Sequence, residues 1–205
     1  MHKTDFATRR ESMVQRQIAN RGVQAPLVLD AMRAVPREVF LPDDLRPLAY
    51  EDTQLQSQEG HPFSAPYFVA MLIAALELKG GETVLEIGTG SGYSSAVLSC
   101  IAKNVYTVER IGQLAEKAAS TLADHGYRNV HVLHGDGTQG WPDHAPYDAI
   151  LVAAGSPALP RALEKQLIIG GRLVIPMGTA QEAQEVVRVT RLSETAFKRD
   201  DVARL

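Results

Sequence analysis

The residues best suited to chemistry sit at three points where an apolar run ends. The first is Glu86-Ile87-Gly88-Thr89-Gly90-Ser91-Gly92-Tyr93, between a strand-like run at residues 83–87 and a helical one at 94–101. Glycines in a strand-to-helix turn let the backbone approach a ligand closely. A dinucleotide fingerprint places its third glycine one position later, where this chain has Tyr93, so the spacing favours a nucleotide without a pyrophosphate. The second point is Glu109, 17 positions after Gly92, which closes the next apolar run where a carboxylate can accept from both hydroxyls of a ribose. The third is Gly135-Asp136-Gly137, in which Asp136 can accept from an exocyclic adenine amine while the glycines keep the pocket open. A glycine-rich turn alone is a weak signal, and an acidic strand end is often a solvated terminus or a helix cap. Three successive strand ends with fitting residues together describe a ribose and adenine site at the edge where open parallel sheets bind ligands.

Other chemically capable residues read as structural on spacing alone. Ser64 stands just ahead of Ala65-Pro66, the arrangement of a helix cap before an N-terminal proline. His61 is a lone loop histidine, expected in solvent. His131 and His134 lie three apart along a strand-like run, hence on opposite faces, and no metal site is expected from them. Cys100, between Leu98 and Ile101, reads as a buried structural thiol, and Trp141 as packing under its loop.

The elements that must position these residues follow from periodicity. Apolar runs at residues 83–87, 105–108, 130–133, 149–152 and 173–176 alternate with helical segments, which argues a parallel sheet. Their continuous Val, Ile and Leu content is what burial on both faces requires. Residues 185–191 alternate apolar and polar and read as an antiparallel edge strand. Upstream, Val14, Ile18 and Val23 lead into Val28, Ala31, Met32 and Val35, a helical pattern that Pro36 stops. Residues 40–63 are irregular and form a candidate substrate loop. The expectation is one α/β domain over 1–205: a doubly wound, mostly parallel, Rossmann-like sheet, with a helical lead-in and substrate loop at 1–65, a cofactor-binding core at 66–192 and a polar tail at 193–205.

Composition narrows the partners. A chain of 205 residues, 45% hydrophobic and 22% charged, with net charge -3, is globular and has no electrostatic footprint for nucleic acid or an anionic membrane. The most apolar stretch, residues 67–76, is far short of the ~20 needed to span a bilayer. A single cysteine and a polar N-terminus without the apolar core of a secretory signal make the cytoplasm the default location.

Val84-Leu85-Glu86-Ile87-Gly88-Thr89-Gly90-Ser91-Gly92-Tyr93, Val105-Tyr106-Thr107-Val108-Glu109-Arg110, Gly135-Asp136-Gly137, Ala145-Pro146-Tyr147-Asp148-Ala149-Ile150 and Gly170-Gly171-Arg172-Leu173-Val174-Ile175-Pro176 are similar to motifs of the protein-L-isoaspartate O-methyltransferase family. The resemblance extends upstream through Met32-Arg33-Ala34-Val35-Pro36-Arg37 and Ala49-Tyr50-Glu51-Asp52, and covers residues 11–192. It implies an S-adenosylmethionine-dependent methyltransferase fold, with the cofactor held by Gly88, Thr89, Gly90, Ser91 and Gly92, flanked by Glu86 and Arg110, with Glu109 on the ribose and Asp136 and Gly137 at the adenine. It also implies that Ser64 matches the family's active-site serine, and that the reaction is methylation of isoaspartyl residues in damaged proteins, with S-adenosylhomocysteine as product and a succinimide as the route to repair.

The substrate segment departs from the family pattern. Where the family usually reads Gln-Thr-Ile-Ser, this chain has His61-Pro62-Phe63-Ser64, which removes a hydroxyl and a backbone donor and makes His61, Pro62 and Phe63 the substrate-loop candidates. Gln56-Ser57-Gln58-Glu59-Gly60 and Ala154-Gly155-Ser156-Pro157 also differ, and a charged tail ending at Leu205 replaces a further apolar segment, a truncation or a more open substrate side. Such a loop also permits two alternatives: a methyltransferase-like module that binds damaged protein with little transfer, and a methyltransferase for a small-molecule acid.

Overall fold

The computed structural model describes residues 3–58, 60–156, 158–178 and 185–204; Glu59, Pro157 and the Leu205 terminus lie outside the described residues. The lead-in is helical, as its periodicity predicts. Helix α1, Lys3–Ser12, runs into a π-helical turn, Met13–Ile18, and a 3-10 turn, Ala19–Arg21, closed by Gly22 at φ 101°. Met13, Val14 and Ile18 are fully buried. Helix α2, Pro26–Ala34, starts on a proline whose missing N–H costs nothing at a helix N-terminus, and stops before Pro36. The irregular stretch holds two 3-10 turns, Arg37–Phe40 and Arg46–Leu48, and a small antiparallel hairpin of β1, Leu55–Gln56, and β2, Pro62–Phe63. Helix α3, Pro66–Ala75, is the most apolar run and is buried on most of its surface.

The five apolar runs become strands: β3, Thr83–Ile87, is followed by α4, Tyr93–Ser99; β4, Asn104–Glu109, by α5, Gly112–Asp124; then come β5, Val130–His134, and β6, Tyr147–Val152, followed by α6, Arg161–Lys165, and β7, Leu167–Met177. The chain ends in β8, Glu185–Arg191, and β9, Phe197–Arg204. The sheet order is β5-β4-β3-β6-β7-β8-β9, parallel up to β7 and antiparallel beyond it. Successive residues of β6 show the pleat: Ala149 and Leu151 join one apolar cluster with α2, α3 and α4, while Ile150 and Val152 join a second with Leu163 of α6. Two buried faces explain the continuous apolar runs.

Three expectations require correction. Residues 185–191 form an antiparallel strand, but not the edge; the segment read as a polar tail supplies β9, which pairs outside β8 from Glu185↔Arg204 to Arg191↔Phe197. Its charged side chains are matched across the ladder, with Arg204 on Glu185 at 3.1 Å and Arg188 on Asp200 at 3.7 Å. Cys100, expected inside, is exposed. Helix α4 ends at Ser99, so the periodicity that buries Leu98 does not extend to the capping position. Trp141 is half-buried against the second cluster and meets the Tyr106 ring edge-on at 5.5 Å.

Candidate active site

Strand order reverses at β3, with β4 on one side and β6 on the other, so their carboxyl ends diverge into a crevice. A cavity of about 1410 Å³ opens there. That exceeds the roughly 300–1,000 Å³ of a pocket for one small molecule, leaving room for two ligands together. Gly88, Thr89, Gly90, Ser91, Glu109, Arg110, Asp136 and Gly137 line it, and so do His61, Pro62, Phe63 and Ser64. Glu86 and Gly92 do not.

The turn after β3 is shaped by backbone that only glycine adopts freely: Gly88 and Gly92 have φ of 95° and 89°. Gly92 sits at the N-cap of α4, with Leu122 only 3.2 Å from where a Cβ would stand, so its role is close helix packing. Glu109 fastens the turn from the side. Its Oε2 accepts from the Gly90 N–H at 2.9 Å and its Oε1 from the Ile111 N–H at 2.9 Å, which ties the loop after β3 to the start of α5. Each carboxylate oxygen keeps a lone pair after serving one backbone donor.

Glu86 lies behind the turn, fully buried, and not in the cavity wall. Its Oε2 accepts from the Ser95 hydroxyl and from Thr107 Oγ1, the latter at 2.8 Å, and Thr107 in turn meets Thr89 at 2.7 Å. Burial pushes its carboxyl above the ordinary value of 4.5, against the donors of Ser95, Ser94 and Thr107, with the Glu109 charge adding to the rise. An acid whose folded pKa is raised holds its proton while the unfolded chain ionises, so stability falls as pH climbs from about 4.5 through the folded pKa. Glu86→Gln cannot ionise. In denaturant titrations its stability should therefore gain on the wild type between pH 4 and pH 7; a pH-independent difference would show that Glu86 titrates normally.

At the end of β5, Asp136 is exposed and caps the 3-10 turn Gly137–Gln139, its Oδ1 accepting from Thr138 N at 3.0 Å and Thr138 Oγ1 at 2.8 Å. These donors hold its carboxyl below the usual range. Gly137 packs against β3 so closely that a Cβ would stand 2.4 Å from Ile87 Cγ2. His131 stacks on Tyr106 with centroids 4.9 Å apart, whereas the His134 ring lies against Gly112.

On the remaining side, the β1–β2 hairpin presents Ser57, His61, Pro62 and Phe63. Its turn is ordered by Ser57 N donating to the His61 carbonyl at 2.9 Å and His61 N to Ser57 Oγ at 3.2 Å. His61, expected in solvent, is half-buried by this turn. Ser64 is not a helix cap: the N-cap of α3 is Ala65, and a free donor of the first turn, Tyr67 N, is served by Asp52 Oδ1 at 3.2 Å from a distant loop. Among the described residues no protein group hydrogen-bonds the Ser64 hydroxyl, while its carbonyl accepts from Arg37 Nη2 at 3.0 Å. Sequence reasoning missed Arg37 as a site residue. It is 1% exposed yet reaches the cavity wall, and its only signal was its place at the end of Met32-Arg33-Ala34-Val35-Pro36-Arg37.

Comparison with known proteins extends what the geometry gives. The family described as Protein-L-isoaspartate(D-aspartate) O-methyltransferase matches residues 8–205. The chain is similar to protein-L-isoaspartate O-methyltransferase 1 of Rhodopseudomonas palustris strain HaA2, 60% identical over 190 residues, 93% of this chain and 78% of that protein. It is also similar to protein-L-isoaspartate O-methyltransferase 2 of Pelobacter propionicus, 52% identical over 194 residues, 95% of this chain and 86% of that protein. Among solved structures, a protein-L-isoaspartate O-methyltransferase superposes with TM-score 0.86 at 28% identity; the match covers 96% of this chain and 64% of that longer one. A Plasmodium falciparum chain crystallised with S-adenosyl-L-homocysteine shares the fold, with TM-score 0.81 at 22% identity over 96% of this chain and 95% of its own. With a family match over nearly its full length and relatives above half identity, this chain belongs to the protein-L-isoaspartate (D-aspartate) O-methyltransferase family.

Proposed function

We propose that this chain transfers a methyl group from S-adenosylmethionine to the α-carboxylate of isoaspartyl residues in damaged proteins and peptides, the step that starts their repair. The observation that carries this reading is one cavity shared by the turn at residues 88–91, Glu109 and Ser64, whose hydroxyl has no protein partner among the described residues. The residues fit an adenosyl group. The turn would cradle it, Glu109 would accept from ribose hydroxyls with the lone pairs left by Gly90 and Ile111, and Asp136, Gly137 and Arg110 would lie beside the adenine. Bound S-adenosylmethionine supplies a sulfonium methyl, which a carboxylate oxygen takes by in-line displacement while the C–S electron pair stays on sulfur.

A carboxylate with a solution pKa near ~4 is already a nucleophile at neutral pH, so no general base is needed. The work left to the protein is placement and exclusion of water. Ser64 donates its hydroxyl hydrogen to the carboxylate and orients it, and Leu72, Val152 and Ala153 give the cavity apolar walls. The neutral methyl ester then cyclises to a succinimide outside the enzyme. A net charge of -3 suits a peptide acceptor better than nucleic acid, and a lone cysteine suits the cytoplasm. Among the described residues no helix is long and apolar enough to cross a membrane.

Transfer of labelled methyl to an isoaspartyl peptide, with the aspartyl isomer as control and base-labile ester as readout, tests the reading; absence of isoaspartyl-selective turnover despite cofactor binding overturns it. Pro62 is exposed in the hairpin and pairs with Gln56. Pro62 also lines the cavity, so Pro62→Thr, which restores the hydroxyl and backbone donor of the family pattern, should keep or raise isoaspartyl turnover. Loss of transfer in that variant would mean the loop is tuned to another acceptor.

A further inference from the structure

Arg37 is a cation in an unusual position. Buried charges are normally paired, because removing a lone charge from water is costly. Arg37 is 1% exposed, and its guanidinium donates to two carbonyls, Nη1 to Ala49 and Nη2 to Ser64, the second at 3.0 Å. Its Cζ lies 5.7 Å from the Tyr93 ring centre. Among the described residues no carboxylate forms an ion pair with it. The nearby acids are engaged elsewhere: Glu38 accepts from the Tyr50 hydroxyl, and Asp52 is held by Arg21 and by Tyr67 N. Burial lowers the guanidinium pKa, opposed by Tyr93, Tyr50 and Asp52, yet an arginine stays charged. A positive charge with no ion-pair partner among the described residues thus stands at the cavity wall, bonded to the residue whose hydroxyl has no protein partner among them.

We propose that Arg37 is the positioning residue that makes the acceptor subsite select an anion: it fixes Ser64 through its main-chain carbonyl and supplies the positive charge that the acceptor carboxylate neutralises. This rests on the carboxylate acceptor proposed above. The charge acts in one direction only. The incoming acceptor is anionic and is held; the methyl ester is neutral, loses the attraction and leaves. Sulfonium and guanidinium together would also repel a cationic acceptor in the same place.

The test is a cycle between the charge on the protein and the charge on the ligand. Binding of an isoaspartyl peptide and of the same peptide with that α-carboxylate as a carboxamide is measured by calorimetry with S-adenosylhomocysteine present, in wild type, Arg37→Lys and Arg37→Met. The wild type should prefer the carboxylate by roughly tenfold or more, as expected for a charge-assisted interaction. Arg37→Lys should keep most of that preference, and in Arg37→Met the ratio should fall toward one. A residue that merely props Ser64 would weaken both peptides equally, and a preserved ratio in Arg37→Met overturns the proposal, as does a wild type without preference. If Arg37→Met does not fold, Arg37→Gln against Arg37→Lys reads the same ratio, since both keep a donor for a carbonyl. Because the ratio comes from binding, it fails independently of turnover: a wild type that methylates isoaspartate while the ratio survives Arg37→Met sinks this inference alone.

Discussion

Replacing Glu109 by alanine is expected to weaken S-adenosylmethionine binding by at least about a hundredfold. Two charge-assisted hydrogen bonds to ribose hydroxyls are worth about 1.5–3 kcal/mol each, and even the lower figures together give that factor. A second loss adds to it. The same carboxylate accepts from Gly90 N and Ile111 N, both at 2.9 Å, so its removal also frees the turn from α5 and leaves two partly buried donors unserved. Glu109→Gln keeps an acceptor for only one of these donors and should fall between. Calorimetric titration of the cofactor into both variants, with circular dichroism to confirm folding, decides the matter. Binding within threefold of wild type in Glu109→Ala would remove Glu109 from the cofactor site.

The second large effect is steric. At Gly137 a Cβ would stand 2.4 Å from Ile87 Cγ2, closer than any real contact, and both residues line the cavity. Gly137→Ala must therefore push Ile87 off its rotamer or move the loop after β5, either of which reshapes the wall where adenine is proposed to lie. Overpacking of this kind costs about 1–3 kcal/mol, or roughly tenfold to a hundredfold in cofactor affinity if the strain is relieved into the site. Ile87→Ala removes the offending methyl. The double variant should then bind better than Gly137→Ala alone, a coupling that independent sites would not show. Additive losses in the cycle would mean that the clash is absorbed elsewhere.

Much of this was legible because local sequence and burial agree. Five runs of Val, Ile and Leu are strands because both of their faces are covered, and glycines at residues 88 and 92 are needed at positive φ whatever surrounds them. What failed depended on which side a residue faces. Glu86 is in the same motif as the glycines, yet on a strand its side chain points opposite to that of Ile87, and it enters a buried hydroxyl cluster while Ile87 meets the cavity. Ser64 had the spacing of a cap, but the donor it would serve is taken by Asp52, 15 residues before Tyr67, a partner no local pattern reveals. Arg37 carried no spacing signal because its meaning comes from what is absent around it. The last strand was hidden by its own charges, since β-propensity scales see Lys198, Arg199, Asp200 and Asp201 as tail and not as ladder.

Those charges have a consequence for how the molecule behaves in a crowded solution. An open sheet ends in a row of free N–H and C=O groups, a template on which another chain can add a strand and begin a fibril. Without β9 the exposed margin would be β8, whose Val186, Val187 and Val189 are buried and apolar, the composition that favours such growth. With β9 in place the margin is FKRDDVAR, five of whose eight residues are charged. A second copy approaching in register would bring like charges opposite one another, and the opposite border, β5, is only five residues long. An enzyme whose proposed clients are aged, partly unfolded polypeptides would thus meet exposed strands with a sheet whose free border discourages them from joining it.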